Sequence, residues 1–201
     1  MPSRQQAIFA LTVLAIALAI AGAAFYFTSG RSGPAGSGEA LVGGPISLTD
    51  HTGRRVTEKD FLGKYMLVFF GFTYCTDICP TELQVMSAAL DELGPEGDNI
   101  QPVFVSIDPE RDTADAVKRY VENFHPRLIG LTGSPDEIAG IARAYRVYYK
   151  KAPGVETDGS YEMDHSTTIY LMDPAGRFRK HFGYTTDAKG LAQGLREAIS
   201  N

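Results

Sequence analysis

From Pro45 onward, runs with a two-residue hydrophobic period alternate with runs whose period fits a helix. "PISLTD" alternates apolar and polar positions like a strand, and "HTG" turns it back. "YMLVFFGF", residues 65–72, is unbroken apolar and rich in aromatics. Its length suits a strand covered on both faces. Leu83, Met86, Leu90 and Leu93 recur at three- and four-residue steps, which marks one face of a helix that "GPEG" stops. "IQPVFVSID" reads as a second central strand, and "RDTADAVKRYVENF" as a helix with Asp112 as its N-cap. "LIGLTG" is a short strand. "SPDEIAGIARAYRV" is a helix with Ser134 as N-cap and Pro135 at the first position. "TTIYLMDPAGRFRKHFG" reads as a hairpin around an Asp-Pro-Ala-Gly turn, and "DAKGLAQGLREAI" as a closing helix. This order predicts an α/β fold with a central sheet between helices.

The stretch before Pro45 has a different character. "AIFALTVLAIALAIAGAAFYF", residues 7–27, holds 21 residues without a charge. A helix of about 20 such residues spans a bilayer core. The run is longer than the core of a cleaved leader, and Phe25, Tyr26 and Phe27 suit the interfacial belt of an uncleaved anchor. "TSGRSGPAGSGEALVGG" then reads as a flexible tether. The expected organisation is a cytoplasmic amino terminus at 1–6, a transmembrane anchor at 7–27, a tether at 28–44 and a folded domain at 45–201. The six residues before the span leave no room for a mitochondrial transit sequence. The expected location is therefore a bacterial inner membrane, crossed once, with the domain facing the periplasm.

Charge and composition remove some functions. The formal net charge is −5, and basic residues neither outnumber acidic ones nor cluster, which argues against a nucleic-acid partner. No phosphate-binding Gly-rich loop with Lys, no HExxH and no GxSxG occurs.

The chemistry left rests on "GFTYCTDICPTEL", which holds Cys75 and Cys79, the chain's 2 cysteines. They form a redox pair, a metal site, or two buried hydrophobes. The pair follows the buried strand and opens a helix, with Pro80 in its first turn and Thr76 or Asp77 as cap. A helix N-terminus lowers the pKa of a thiol beside it. Residues four apart share a helix face, with Cβ atoms about 5–6 Å apart. Two thiolates there can converge on one ion, or close a disulfide once the Cβ atoms approach to about 3.8 Å. The spacing leaves both open, along with an inert disulfide.

Two thiolates need a third ligand to hold a metal. Soft thiolates select Cu(I), zinc or iron–sulfur clusters, and two cysteines cannot hold a four-cysteine cluster. Imidazole would complete a copper or zinc site, and His51, His125, His165 and His181 are the candidates. His165 stands in "MDHSTTIYL", immediately before a strand. "SIDPERD", residues 106–112, is either a helix cap or an acidic support beside the cysteines.

"GFTYCTDICPTEL", "VSIDPERDT", "GLTGSPDEIAGIARAYRVYY" and "DHSTTIYLMDPAGRF" together resemble the Sco/SenC family, membrane-tethered copper proteins that assemble cytochrome c oxidase. The resemblance covers nearly everything from Pro45 onward. It implies a thioredoxin-like fold and copper, as Cu(I) or Cu(II), bound by two cysteines and a histidine, which match Cys75, Cys79 and His165. It also implies a Cys75–Cys79 disulfide in the oxidised apo form. Asp77, Asp108 and Asp164 are then the carboxylates expected behind the ligands. Thioredoxins carry a cis-proline in the loop facing the cysteines, where "DHSTT" has none, and this favours metal binding over disulfide exchange. Family members often have His-Cys-Pro-Asp where this chain has "YCTD", so Tyr74 removes one histidine and Thr76 one proline. The implied role is a metallochaperone, and not primarily an enzyme, that passes copper to the dinuclear copper site of cytochrome c oxidase subunit II. Further implied partners are another periplasmic copper chaperone or a thioredoxin-like reductase. The alternatives are a thiol-disulfide reductase that keeps the target cysteines reduced, or a redox or copper sensor.

Overall fold

The structure is a computed structural model that describes residues 42–152 and 161–200. The proposed span at 7–27, and the tether up to residue 41, lie outside the described residues. Among the described residues, no helix is long and apolar enough to cross a membrane.

The strands are β1 (Ser47–Asp50), β2 (Arg55–Thr57), β3 (Tyr65–Gly71), β4 (Ile100–Ser106), β5 (Ile129–Thr132), β6 (Tyr149–Lys151), β7 (Met163–His165), β8 (Ile169–Met172) and β9 (Phe178–Phe182). The α-helices are α1 (Ile78–Leu93), α2 (Ala114–Val121), α3 (Pro135–Ala144) and α4 (Ala188–Ile199). Seven strands form one mixed sheet in the order β2-β1-β5-β4-β3-β8-β9, and β6 pairs with β7 separately. Central strands β3, β4 and β5 run parallel, and β8 runs antiparallel to β3. Leu67, Phe69 and Phe70 on β3 and Phe104 on β4 are fully buried, as expected for strands covered on both faces.

Local signals account for most boundaries. Leu83, Met86, Leu90 and Leu93 are all buried on α1. The helix stops at Gly94, whose φ of 54° lies in the left-handed region that glycine adopts without a Cβ penalty. Ser134 caps α3 in a reciprocal capping box with Glu137. Two details differ from the sequence reading. Thr113, not Asp112, caps α2, because the Asp112 carboxylate is turned inward to other partners. His165 does not merely precede a strand but ends β7, opposite Tyr149.

The register decides what meets at the site. The parallel pairing brings the exits of β3 and β4 to the same sheet end, with Gly71 opposite Ser106. The antiparallel pairing puts the start of β8 there too, with Ile169 opposite Phe69. The cysteine loop, the 106–112 turn and the segment carrying His165 therefore converge at one end.

Candidate metal centre

Cys75 lies in the turn after β3, and Cys79 is the second residue of α1. Both are free thiols, Cys75 partly exposed and Cys79 fully buried. The first amides of a helix have no carbonyl partner within it. Here the Cys79 N–H donates to Cys75 Sγ at 3.3 Å. The Asp77 side chain, at the N-cap position, makes no capping bond, so the sulfur takes the role an oxygen usually plays. Pro80 has no N–H to satisfy.

These contacts separate the two thiols. The Cys79 S–H donating to Cys75, with the amides of Cys79 and Asp77 adding to it, lowers the Cys75 pKa to about 4. The Cys75 sulfur beside it, together with burial, pushes the Cys79 thiol far above its ordinary value. The resting pair is therefore a thiolate at Cys75 and a thiol at Cys79.

Close packing seats the buried sulfur. A Cβ on Gly71 would lie 2.8 Å from Cys79 Sγ and 3.0 Å from the Phe104 ring. Only a residue without a side chain lets the sulfur rest against β3.

His165 completes the group. Its Nε2 is 3.4 Å from Cys79 Sγ, and its Nδ1 is 2.8 Å from the Ser166 carbonyl oxygen. A carbonyl only accepts, so Nδ1 carries the proton and the Nε2 lone pair faces the cysteines. Phe72 and Phe69 meet the imidazole edge-on at 5.9 and 6.2 Å. One ligand atom from each of Cys75, Cys79 and His165 lies within 4.8 Å of the others. Metal–ligand bonds of about 2.0–2.3 Å place the donors of a trigonal set about 3.5–4 Å apart. The three atoms need only small adjustments to reach that spacing.

The other histidines lie elsewhere. His51 Nδ1 accepts from the Gly130 amide, and His125 Nδ1 from the Arg127 amide. His181 is on β9, stacked near Phe178. Asp77 and Asp164 are exposed on the rim of a groove of about 420 Å³ above the site, beside Cys75 and His165. Asp108 is buried but faces Arg111 and Tyr161. The group behind His165 is thus a backbone carbonyl and not a carboxylate.

Sequence reasoning named Asp112 as a cap, or within an acidic support beside the cysteines, but missed its bonds to the cysteine loop. Its buried carboxylate accepts from the Thr73 amide at 3.0 Å, from Thr73 Oγ1 at 2.6 Å and from Ser106 Oγ at 2.6 Å. Those bonds fasten the stretch just before Cys75 to the turn after β4. Burial raises the Asp112 pKa despite them. Glu82 was missed as well. It lies within α1, is 1% exposed, and its Oε2 has no hydrogen-bond partner.

The fold is that of thioredoxin-like proteins, and the site is a two-sulfur, one-nitrogen donor set at the start of the helix after a central strand. Residues 34–200 match the SCO1/SenC family model, and the chain belongs to that family. It is 49% identical over 170 residues to the mitochondrial protein SCO1 homolog 1 of Arabidopsis thaliana, covering 84% of this chain and 50% of the relative. The human mitochondrial SCO1 homolog is 49% identical over 148 residues, covering 73% of this chain and 49% of the relative. The chain thus spans about half the length of these curated relatives. Among solved structures, copper-bound ScoI of Arabidopsis thaliana superposes with a TM-score of 0.75 at 49% identity, over 79% of this chain and 98% of the other. Copper-bound ScoI of Bradyrhizobium japonicum gives 0.71 at 45% identity, over 78% and 99%.

Proposed function

We propose that this protein is a copper chaperone of cytochrome c oxidase assembly. It holds copper through Cys75, Cys79 and His165 and delivers it to the dinuclear copper site of subunit II. The observation that carries this reading is the convergence of the three donor atoms within 4.8 Å, with the Nε2 lone pair already turned inward. Copper bound to family members of 49% and 45% identity supports the choice of metal.

Each residue has a separate task. Cys75 offers a thiolate at neutral pH without first losing a proton. Cys79 gives up its proton as the ion enters. Two thiolates suit Cu(I), and the added imidazole suits Cu(II) as well. The groove leaves Cys75 partly open, so a recipient's ligands can replace this chain's one at a time. Residues 7–27 anchor the domain to the inner membrane on the side away from the cytoplasm, where that recipient stands.

The test is copper titration of the purified chain. One copper per chain is expected, and tight Cu(I) binding should vanish in both Cys75→Ser and Cys79→Ser. Full retention in both variants would sink the reading.

The low Cys75 pKa favours a second reading, a thiol-disulfide reductase. Cys75 would attack one sulfur of a target disulfide and release the other as a thiolate. Cys79, deprotonated, would then attack Cys75 and release the second target thiolate. Two electrons pass to the target and a Cys75–Cys79 disulfide remains, which a dithiol reductant must reopen.

A further inference from the structure

One side chain ties together all three segments that meet at the site. The Arg111 guanidinium lies 3.5 Å from the Tyr161 ring centroid and 4.6 Å from that of Tyr74. Its Nη1 donates to the Tyr161 carbonyl at 2.8 Å, and its Nε to the Asp108 carboxylate. Asp108 is 2% exposed and also accepts from the Tyr161 hydroxyl at 2.6 Å. Lys151 on β6 adds a second tie. Its Nζ sits 4.2 Å from the Tyr161 centroid and pairs with Glu110 at 2.8 Å. A planar, permanently charged guanidinium can stack on rings and donate in its own plane at once, which an ammonium cannot.

The position of Tyr161 gives these contacts a consequence for His165. Strands β6 and β7 are three residues each, and a two-stranded hairpin is marginally stable by itself. On one side of His165 the chain is next fastened to the main sheet at Ile169. On the other side it is fastened at Tyr161. His165 is thus held midway between two anchors, one in the sheet and one on Arg111. The same guanidinium also covers Tyr74, the neighbour of Cys75.

We infer that Arg111, Asp108 and Tyr161 are positioning residues that set the spacing between His165 and the cysteine pair before copper arrives. The inference rests on the metal reading above. The latch makes no contact with the metal-binding atoms and acts through His165.

The test is a double-mutant cycle on the full chain, read as Cu(I) affinity by competition with a chromophoric chelator. Tyr161→Phe removes one hydroxyl and should weaken binding about ten- to hundredfold, as expected for one charge-assisted hydrogen bond. Arg111→Lys keeps the charge and should weaken it at least as much. In a His165→Ala background neither change should alter affinity further, because the residue they position is gone. Equal losses with and without His165, or no loss in either, would overturn the latch. A metal-free readout separates its fate from that of the copper reading. The Ser166 amide, bonded to the Tyr148 carbonyl at 2.9 Å, should exchange faster with solvent in unloaded Tyr161→Phe than in unloaded wild type. Faster exchange in a chain that takes up no copper would retain the latch and reject the chaperone reading. Unchanged exchange rejects the latch whatever the copper result.

Discussion

Cys79 Sγ and His165 Nε2 stand 3.4 Å apart, although 86 positions separate the two residues in the chain. The contact joins a sulfur buried against β3 to an imidazole whose proton is committed to the Ser166 carbonyl. It is the point at which a local cysteine pair becomes a three-donor site.

Replacing His165 by Ala should separate the chaperone from the reductase. Both cysteines, the helix start and the Cys79 amide bond to Cys75 remain in place. The thiols should still titrate and still form a reducible disulfide. Copper affinity should fall by more than the roughly 10–100-fold typical of losing a group that merely supports a ligand. Cells carrying only this variant should assemble oxidase poorly. Normal oxidase activity alongside crippled copper binding would favour the reductase.

The two thiols should react at different pH. With the Cys75 pKa at about 4, alkylation by iodoacetamide should already be near its plateau at pH 6 and confined to Cys75. Cys79→Ala removes the strongest donor to that thiolate, so its pKa should rise and the pH 6 rate should fall. Mass spectrometry of the alkylated chain locates the label. A rate that climbs only toward pH 9, as for an ordinary thiol, would contradict the assignment.

Gly71→Ala should damage fold and site together. The added methyl would meet Cys79 Sγ at 2.8 Å in a packed interior. A loss of about 1–3 kcal/mol in urea unfolding is expected, with weaker copper binding because the sulfur is displaced. Wild-type stability and affinity would show that β3 yields more readily than its packing implies.

Glu82 should make stability depend on pH. Burial raises its pKa from the usual 4.5 to about 7. Between those values the folded state binds more protons than the unfolded chain, so stability falls as pH rises. The favourable contribution is complete below about pH 4.5 and is lost as pH passes 7. Glu82→Gln removes this slope and should be more stable than wild type at pH 8, measured by urea midpoints at pH 5 and 8. Parallel profiles for the two chains would refute this.

Much of the molecule was legible in the residues because the forces involved are local. A 3.6-residue period announces α1, the Ser134–Glu137 pair announces the start of α3, and the run at 65–72 announces a central strand. Cys75 and Cys79 were legible for the same reason, since four positions separate them across the start of a helix, although Cys75 lies in the turn before that helix and not on its face as the i, i+4 spacing suggests. The resemblance to the Sco/SenC family pointed to His165, but the spacing of the four histidines by itself could not choose it. That choice came from the pairing of β3 with β8 in opposite sense, which returns a distant segment to the sheet end where β3 exits. Arg111 and Tyr161 lay in the same blind spot, as did their bonds to Asp108, itself named from the sequence, and the inward turn of Asp112. Each meets its partner across a sequence gap, or through a side-chain direction, that no local period encodes. Sequence alone determined that the two thiols flank the start of a helix. The tertiary structure decided which imidazole faces them and what holds it there, because only the sheet register brings non-local donors within bonding distance.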